Sequence, residues 1–205
     1  MVSHFVLAWL ALLHDPRIAT AIIVIGCPDY VRLMTDRAAK SKLPSWTDGQ
    51  GREFLGSKDF PRSLVEAVER YDPAGLLMGE LDTVTGDDYI HPPSEAEITR
   101  LRPLMREHLG GKRILCLSGG KDKLVPYACG DPFLHFLKSA IDEKKGWFND
   151  RGTRLEDVVD KEAGHEYSAK MSHVAVKWIS DLLAEDSQEG ALGTGKSAGS
   201  RTSKI

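Results

Sequence analysis

Apolar residues along this chain follow two spacings. Ala21-Ile22-Ile23-Val24-Ile25-Gly26 is a short continuous run rich in β-branched residues and closed by glycine. That is the pattern of a parallel strand covered on both faces. Arg113 to Leu117 is a second such strand, and Arg154 to Val159 is a third, shorter and more polar, as an edge strand is. Elsewhere the period lengthens. Phe133, Phe136, Leu137, Ala140 and Ile141 lie at offsets 0, 3, 4, 7 and 8, which is one stripe of a helix. Met171, Val174, Ala175, Trp178, Ile179 and Leu182 make a longer stripe in the same register. Strands alternating with helices predict an α/β fold with parallel strands.

The run Phe5 to Leu13 has the length of a signal-peptide core, but no Lys or Arg precedes it and no small-x-small site follows. It is too short to span a bilayer, so it is read as a buried helix. From about Pro28 to Arg106 the chain mixes Pro, Gly and aromatic residues with short helical patterns. Examples are Ser63 to Tyr71, and Ser94 to His108 with a Ser94…Glu97 capping box. Residues 28–106 are therefore expected to be a cap inserted between the first and second strands, of the kind that shapes a substrate pocket. Residues 1–27 supply a helix and a strand, and 107–184 the rest of the α/β core. From 185 to 205 the composition turns to Gly, Ser, Thr and Lys. Such a tail cannot bury enough apolar surface to order itself.

At 205 residues and 41% hydrophobic, the chain can bury one real core. A net charge of −3 gives no support for nucleic-acid binding or for a basic membrane-surface protein. Three cysteines, Cys27, Cys116 and Cys129, have no Cys-x-x-Cys spacing. They are read as reduced, intracellular thiols rather than disulfides or zinc ligands. His14, His91, His108, His135 and His173 show no metal spacing. Trp46 and Trp147 are assigned to packing, with pocket lining as the alternative.

Two residues carry the candidate chemistry. Asp122 lies in Arg113-Ile114-Leu115-Cys116-Leu117-Ser118-Gly119-Gly120-Lys121-Asp122-Lys123-Leu124-Val125-Pro126, a strand whose tip bears a carboxylate. His165 lies in Ala163-Gly164-His165-Glu166-Tyr167, on a loop between a strand and a helix. An acid after one strand and a His after the next is the order in the back half of a Ser…Asp…His site. With Gly26-Cys27-Pro28-Asp29-Tyr30, these stretches resemble the C-terminal half of an α/β-hydrolase. The likeness is to small esterases of the prolyl-oligopeptidase-like kind, filamentous-fungal members included, and runs from about His14 to Leu183.

That resemblance implies a partial α/β-hydrolase fold with an inserted helical cap, its N-terminal strands missing. It implies serine-type hydrolysis of a carboxylic ester or thioester of a small molecule, with no cofactor, no metal and no nucleic-acid or membrane partner. In fungal relatives this pattern often serves secondary metabolism. Asp122 would be the acid that orients the imidazole and stabilises the imidazolium, and His165 the general base. The nucleophile should stand on a Gly-x-Ser-x-Gly turn. Ser3 is the hydroxyl nearest that place, but Met1 and Phe5 occupy the glycine positions. Those glycines let the chain turn sharply and leave the hydroxyl exposed. The alternative expectation is a truncated, non-catalytic member, a binding or interaction module or an incomplete gene product. In either case the first strand would present a bare apolar edge.

Two signals lie in the tail. Gly190-Ala191-Leu192-Gly193-Thr194-Gly195-Lys196-Ser197 matches the phosphate-loop pattern. The mechanism needs a strand before it and a helix after it; a helix precedes it here, so it is read as coincidence. Ser203-Lys204-Ile205 resembles the Ser-Lys-Leu peroxisomal address. The expected location is therefore cytoplasmic, or peroxisomal if that signal is read.

Overall fold

The structure is a computed structural model that describes residues 4–49, 51–81, 92–148 and 152–194. The chain divides into two units, Met1–Tyr167 and Ser168–Ile205. The first unit runs α1 (His4–His14), β1 (Thr20–Val24), α2 (Tyr30–Lys40), α3 (Pro44–Thr47), α4 (Arg62–Tyr71), α5 (Pro73–Met78), α6 (Glu95–Leu109), β2 (Arg113–Gly119), α7 (Tyr127–Ala140) and β3 (Arg154–Asp160). The second holds α8 (Ala169–Thr194).

The fold is α/β, with a three-stranded parallel sheet in the order β1-β2-β3. Thr20 stands opposite Arg113, and Arg113 opposite Arg154. All three strands therefore deliver their C-terminal ends to one edge. β2 is central, and Ile114, Leu115, Cys116 and Leu117 are all buried, as the continuous apolar run requires. β3, one of the two edge strands, is more exposed and more polar than β2 as expected, but at seven residues it is as long as β2 rather than shorter, because its whole length pairs with that strand.

β1 ends one residue sooner than its apolar run suggests. Gly26 reads as the turn residue, yet Ile25 takes the left-handed conformation, φ 54°. A β-branched residue there is strained by roughly 1–3 kcal/mol. Two contacts hold it: its amide donates to the Leu117 carbonyl at 2.8 Å, and its side chain packs with Cys27, Leu33, Val125 and Cys129.

The main core joins α1, the sheet, α5, α6 and α7. Trp9 meets Phe133 edge-on, ring centroids 5.5 Å apart, and Leu77, Leu101 and Met105 are fully enclosed beside them. The helices between β1 and β2 split in their allegiance. α5 and α6 feed this core, while α2 to α4 build a cluster of their own around Ala38, Phe54, Phe60, Val65 and Val68. α6 starts with the capping box read from the sequence: Ser94 N donates to Glu97 Oε2 at 2.7 Å, and Glu97 N donates to Ser94 Oγ at 3.4 Å. Lys112 closes the other end of α1. Its buried ammonium donates to the carbonyls of Leu12, Asp15 (3.0 Å) and Ile18 (2.9 Å). A cation there meets the negative end of the helix and adds a donor to carbonyls at its C-terminus, that of Asp15 also accepting from Ile18 N at 3.2 Å.

In the second unit, Met171, Ala175, Trp178 and Leu182 of α8 are buried. Ile179, counted in that stripe by spacing, is 45% exposed and lies instead with exposed Val176 and Leu183. Ser168 starts the helix by accepting from the Met171 amide at 3.1 Å. α8 continues to Thr194, through residues 185–194 of the polar tail. All three cysteines are free and buried. Among the described residues no helix is long and apolar enough to cross a membrane.

Candidate functional site

The shared sheet edge brings together the connections that leave β2 and β3. Gly119 ends β2 against the loop after β3. A Cβ on Gly119 would stand 2.3 Å from the Gly164 carbonyl oxygen, and one on Gly120 would stand 2.8 Å from Lys161 Cα. Only glycine permits that approach of backbone to backbone. The two loops are then laced together: Gly120 N donates to Asp160 O at 2.8 Å, and Lys121 N donates to Ala163 O at 2.9 Å. An exposed Lys121–Glu162 ion pair spans the same junction.

Asp122 is fixed inside this junction, its side chain wholly enclosed. Oδ1 accepts from the amides of Leu124 (2.8 Å) and Val125 (2.9 Å). Oδ2 lies 2.8 Å from His165 Nδ1. A carboxylate only accepts, so Nδ1 carries the proton and Nε2 is the nitrogen through which His165 would exchange one. The imidazole is 29% exposed, open enough to meet a second molecule. Arg37 of α2 supports the arrangement from outside, donating to the Leu124 carbonyl through Nη2 (2.7 Å) and Nε (3.2 Å). Sequence spacing gives no sign of that contact, because Arg37 and Leu124 are 87 residues apart. Chemically, an enclosed carboxylate bonded to a part-exposed imidazole can hold one tautomer, accept a proton at Nε2 and stabilise the charge that results.

Of the residues read from the sequence, Asp122 and His165 are brought together. Ser3 lies outside the described residues, as do His91 and Ser203-Lys204-Ile205. Gly190 to Thr194 form the end of α8, and Gly195-Lys196-Ser197 lie outside the described residues. His14 and His108 approach backbone carbonyls, those of Tyr71 (2.8 Å) and Leu13 (3.2 Å). Among the described residues no group of His, Cys, Asp and Glu is arranged to hold a metal ion. Trp46 and Trp147 pack against the two apolar clusters.

A pair of acids sits near where β1 leaves the sheet: Asp29, within the Gly26–Tyr30 stretch, and Asp72, which no sequence pattern places beside it. Asp29 caps α2, with Oδ1 accepting from Arg32 N at 2.8 Å and Oδ2 3.4 Å from Arg32 Nε. Asp72, between α4 and α5, is 3% exposed. Its Oδ2 accepts from Tyr30 N at 3.3 Å, whereas Oδ1 is enclosed with no hydrogen-bond partner. Burial first, and the nearby Asp29 charge second, push the Asp72 carboxyl up to about 8; the amides around it oppose the shift without cancelling it. Burial raises Asp29 as well.

No family model and no curated protein matches this chain. Among solved structures it is similar to Pyrococcus horikoshii acylaminoacyl peptidase (orthorhombic crystal form), at 16% identity and a TM-score of 0.36. The alignment covers 78% of this chain and 18% of that one, so the chain spans less than a fifth of that protein. At that score the likeness supports no transfer of activity, and the chemistry rests on the geometry of the chain itself.

Proposed function

We propose that Asp122 and His165 are the acid and base of a serine-type hydrolase that acts on a carboxylic ester or thioester of a small molecule. The observation that carries this reading is the 2.8 Å contact between His165 Nδ1 and an Asp122 carboxylate whose other oxygen is held by two amides. His165 takes the proton from a serine hydroxyl as that oxygen attacks the acyl carbon, and returns it to the leaving alcohol or thiol. Water then enters by the same base and releases the acid. Ser3 is the nucleophile this sequence offers.

A second reading has its own support. Met1 and Phe5 stand where the nucleophile turn needs glycine, which favours a chain that keeps the acid–base pair without the reaction. A serine-directed fluorophosphonate separates the two. Stoichiometric labelling at Ser3 of the folded chain, lost in His165→Ala, is the expected result for the hydrolase. A folded chain that takes up no label, and cleaves no activated ester faster than its His165→Ala variant, would sink that reading and leave the second.

A further inference from the structure

The two outer strands of the sheet are not guarded alike. β3 exposes Arg154 and Glu156 along its length, and charge on an outer strand discourages another chain from pairing with it. β1 reads Thr20-Ala21-Ile22-Ile23-Val24, with no charge, no proline and no glycine. Among the described residues no strand pairs with its far side. The ladder to β2 shows which groups that side offers. Arg113 N donates to Ala19 O at 2.8 Å, and Ile25 N donates to Leu117 O at 2.8 Å. In a parallel pair, alternate residues turn both main-chain groups to one neighbour. Residues 19, 21, 23 and 25 therefore serve β2, and the N–H and C=O groups of Thr20, Ile22 and Val24 point the other way.

The helix packed on β1 has the same character. α1 contains no Asp, Glu, Lys or Arg, and Leu7 (46% exposed), Ala8 and Ala11 face water. A helix that is apolar on every side is normally covered on every side. Strand and helix together leave an uncharged flank that carries a regular row of donors and acceptors. Such a row calls for an extended strand, and its symmetry says which one. Thr20 and Val24 stand two residues to either side of Ile22, so a reversed copy of the row matches it position for position. Pro16 and Pro28, each six residues from Ile22, bound the stretch equally at both ends.

We propose that this edge is an interface between two copies of the chain, with β1 pairing antiparallel to the same strand of a second copy about a two-fold axis at Ile22. Thr20 then stands opposite Val24 of the partner subunit, and Ile22 opposite its own counterpart. Each of these pairs exchanges two main-chain hydrogen bonds. The two sheets join into one, and the contact closes on itself, so that assembly stops at two copies. The axis keeps both α1 helices on one face of the joined sheet, where they can cover part of each other's apolar surface. Pairing there needs no turnover at Asp122 and His165.

The test is sedimentation of the whole chain over a wide range of concentration, with hydrogen exchange read at single amides. The unmutated chain should sediment at twice its own mass, with the amides of Thr20, Ile22 and Val24 protected. Ile22→Lys sets two cations opposite each other on the axis and should weaken the dimer by roughly a hundredfold. Its monomer should lose protection at Thr20 and Val24 and keep it at Ala21 and Ile23, which serve β2. Ile22→Glu should behave likewise. Mixed in equal amounts, the two variants should dimerise again, which misfolded chains do not do. An unmutated chain that stays a monomer at every concentration, or grows past two copies, would overturn the proposal. So would a dimer whose outward amides exchange freely, or one that Ile22→Lys leaves intact. If neither variant folds, the exchange pattern of the unmutated chain decides.

Discussion

Asp122, at the tip of β2, and Asp72, between α4 and α5, are both buried aspartates, and they are treated in opposite ways. Asp122 uses both oxygens: two amides hold Oδ1 and an imidazole meets Oδ2. Asp72 has one long amide contact, an orphaned second oxygen and another acid for a neighbour. Burial is the same, so the difference lies in the partners the backbone supplies. After β2 the chain turns back on the carboxylate and offers consecutive amides. Beside β1 the carboxyl stands at the N-terminus of α5, where the Ala74 amide donates to the Pro28 carbonyl. A buried acid is fully partnered in the first case and held at a cost in the second.

That contrast can be broken most sharply at Asp122. Asp122→Asn keeps the shape but offers an amide that favours the wrong imidazole tautomer. Under the hydrolytic reading, kcat/KM on an activated ester should fall by about 10⁴, measured beside thermal unfolding to show that the fold is kept. Gly119→Ala attacks the same junction through the backbone. Its Cβ would collide with the Gly164 carbonyl, so the strand tip and the His165 loop must part. The expected loss is about 1–3 kcal/mol of stability by denaturant titration, and the imidazole N–H signal bonded to Asp122 should vanish from the proton spectrum.

The third test belongs to Asp72 and depends on pH. Its carboxyl is raised from 3.8 to about 8, so the folded chain binds more protons than the unfolded one between those values. The slope of unfolding free energy with pH is then negative. Asp72 favours the fold fully below about 4, and this contribution is lost as pH rises through about 8, at no more than about 1.4 kcal/mol per unit. Denaturant titrations at pH 5 and pH 8 should show a smaller difference in Asp72→Asn. Part of the slope should survive because Asp29 is raised too. An unchanged difference would mean that Asp72 is charged in the fold and that the contrast with Asp122 is false.

Much of this was legible in the order of residues, and what was not has a common cause. Two apolar runs and one polar edge run became three parallel strands: β-branched continuity encodes a covered strand directly, and the third run kept enough Val and Leu to pair beside β2. The Ser94…Glu97 box marked the start of α6 because capping is local chemistry. Asp122 and His165 could be paired because each follows a strand, and parallel strands share an edge. Asp72 and Asp29 escaped because their neighbourhood is set by the docking of α4 and α5 on the connection after β1, which no periodicity records. Arg37 escaped for the same reason. Ile25 misled because local propensity favoured Gly26, and side-chain packing overruled it. Ile179 fits the buried stripe of α8 by spacing alone and points elsewhere.

The register of the sheet also bears on how quickly the chain finds its structure. Joining β2 to β3 closes a loop of roughly forty residues, whereas joining β1 to β2 closes one of roughly ninety. The longer closure costs only about 0.7 kcal/mol more in chain entropy. It must nevertheless be met before the cross-sheet contacts of β1 give anything back. Long-range parallel pairing of this kind slows folding. The β2–α7–β3 unit has the shorter closure and already carries the turn that seats Asp122. A chain that pairs β2 with β3 first leaves the central strand with an open side to any other chain in solution until β1 joins it.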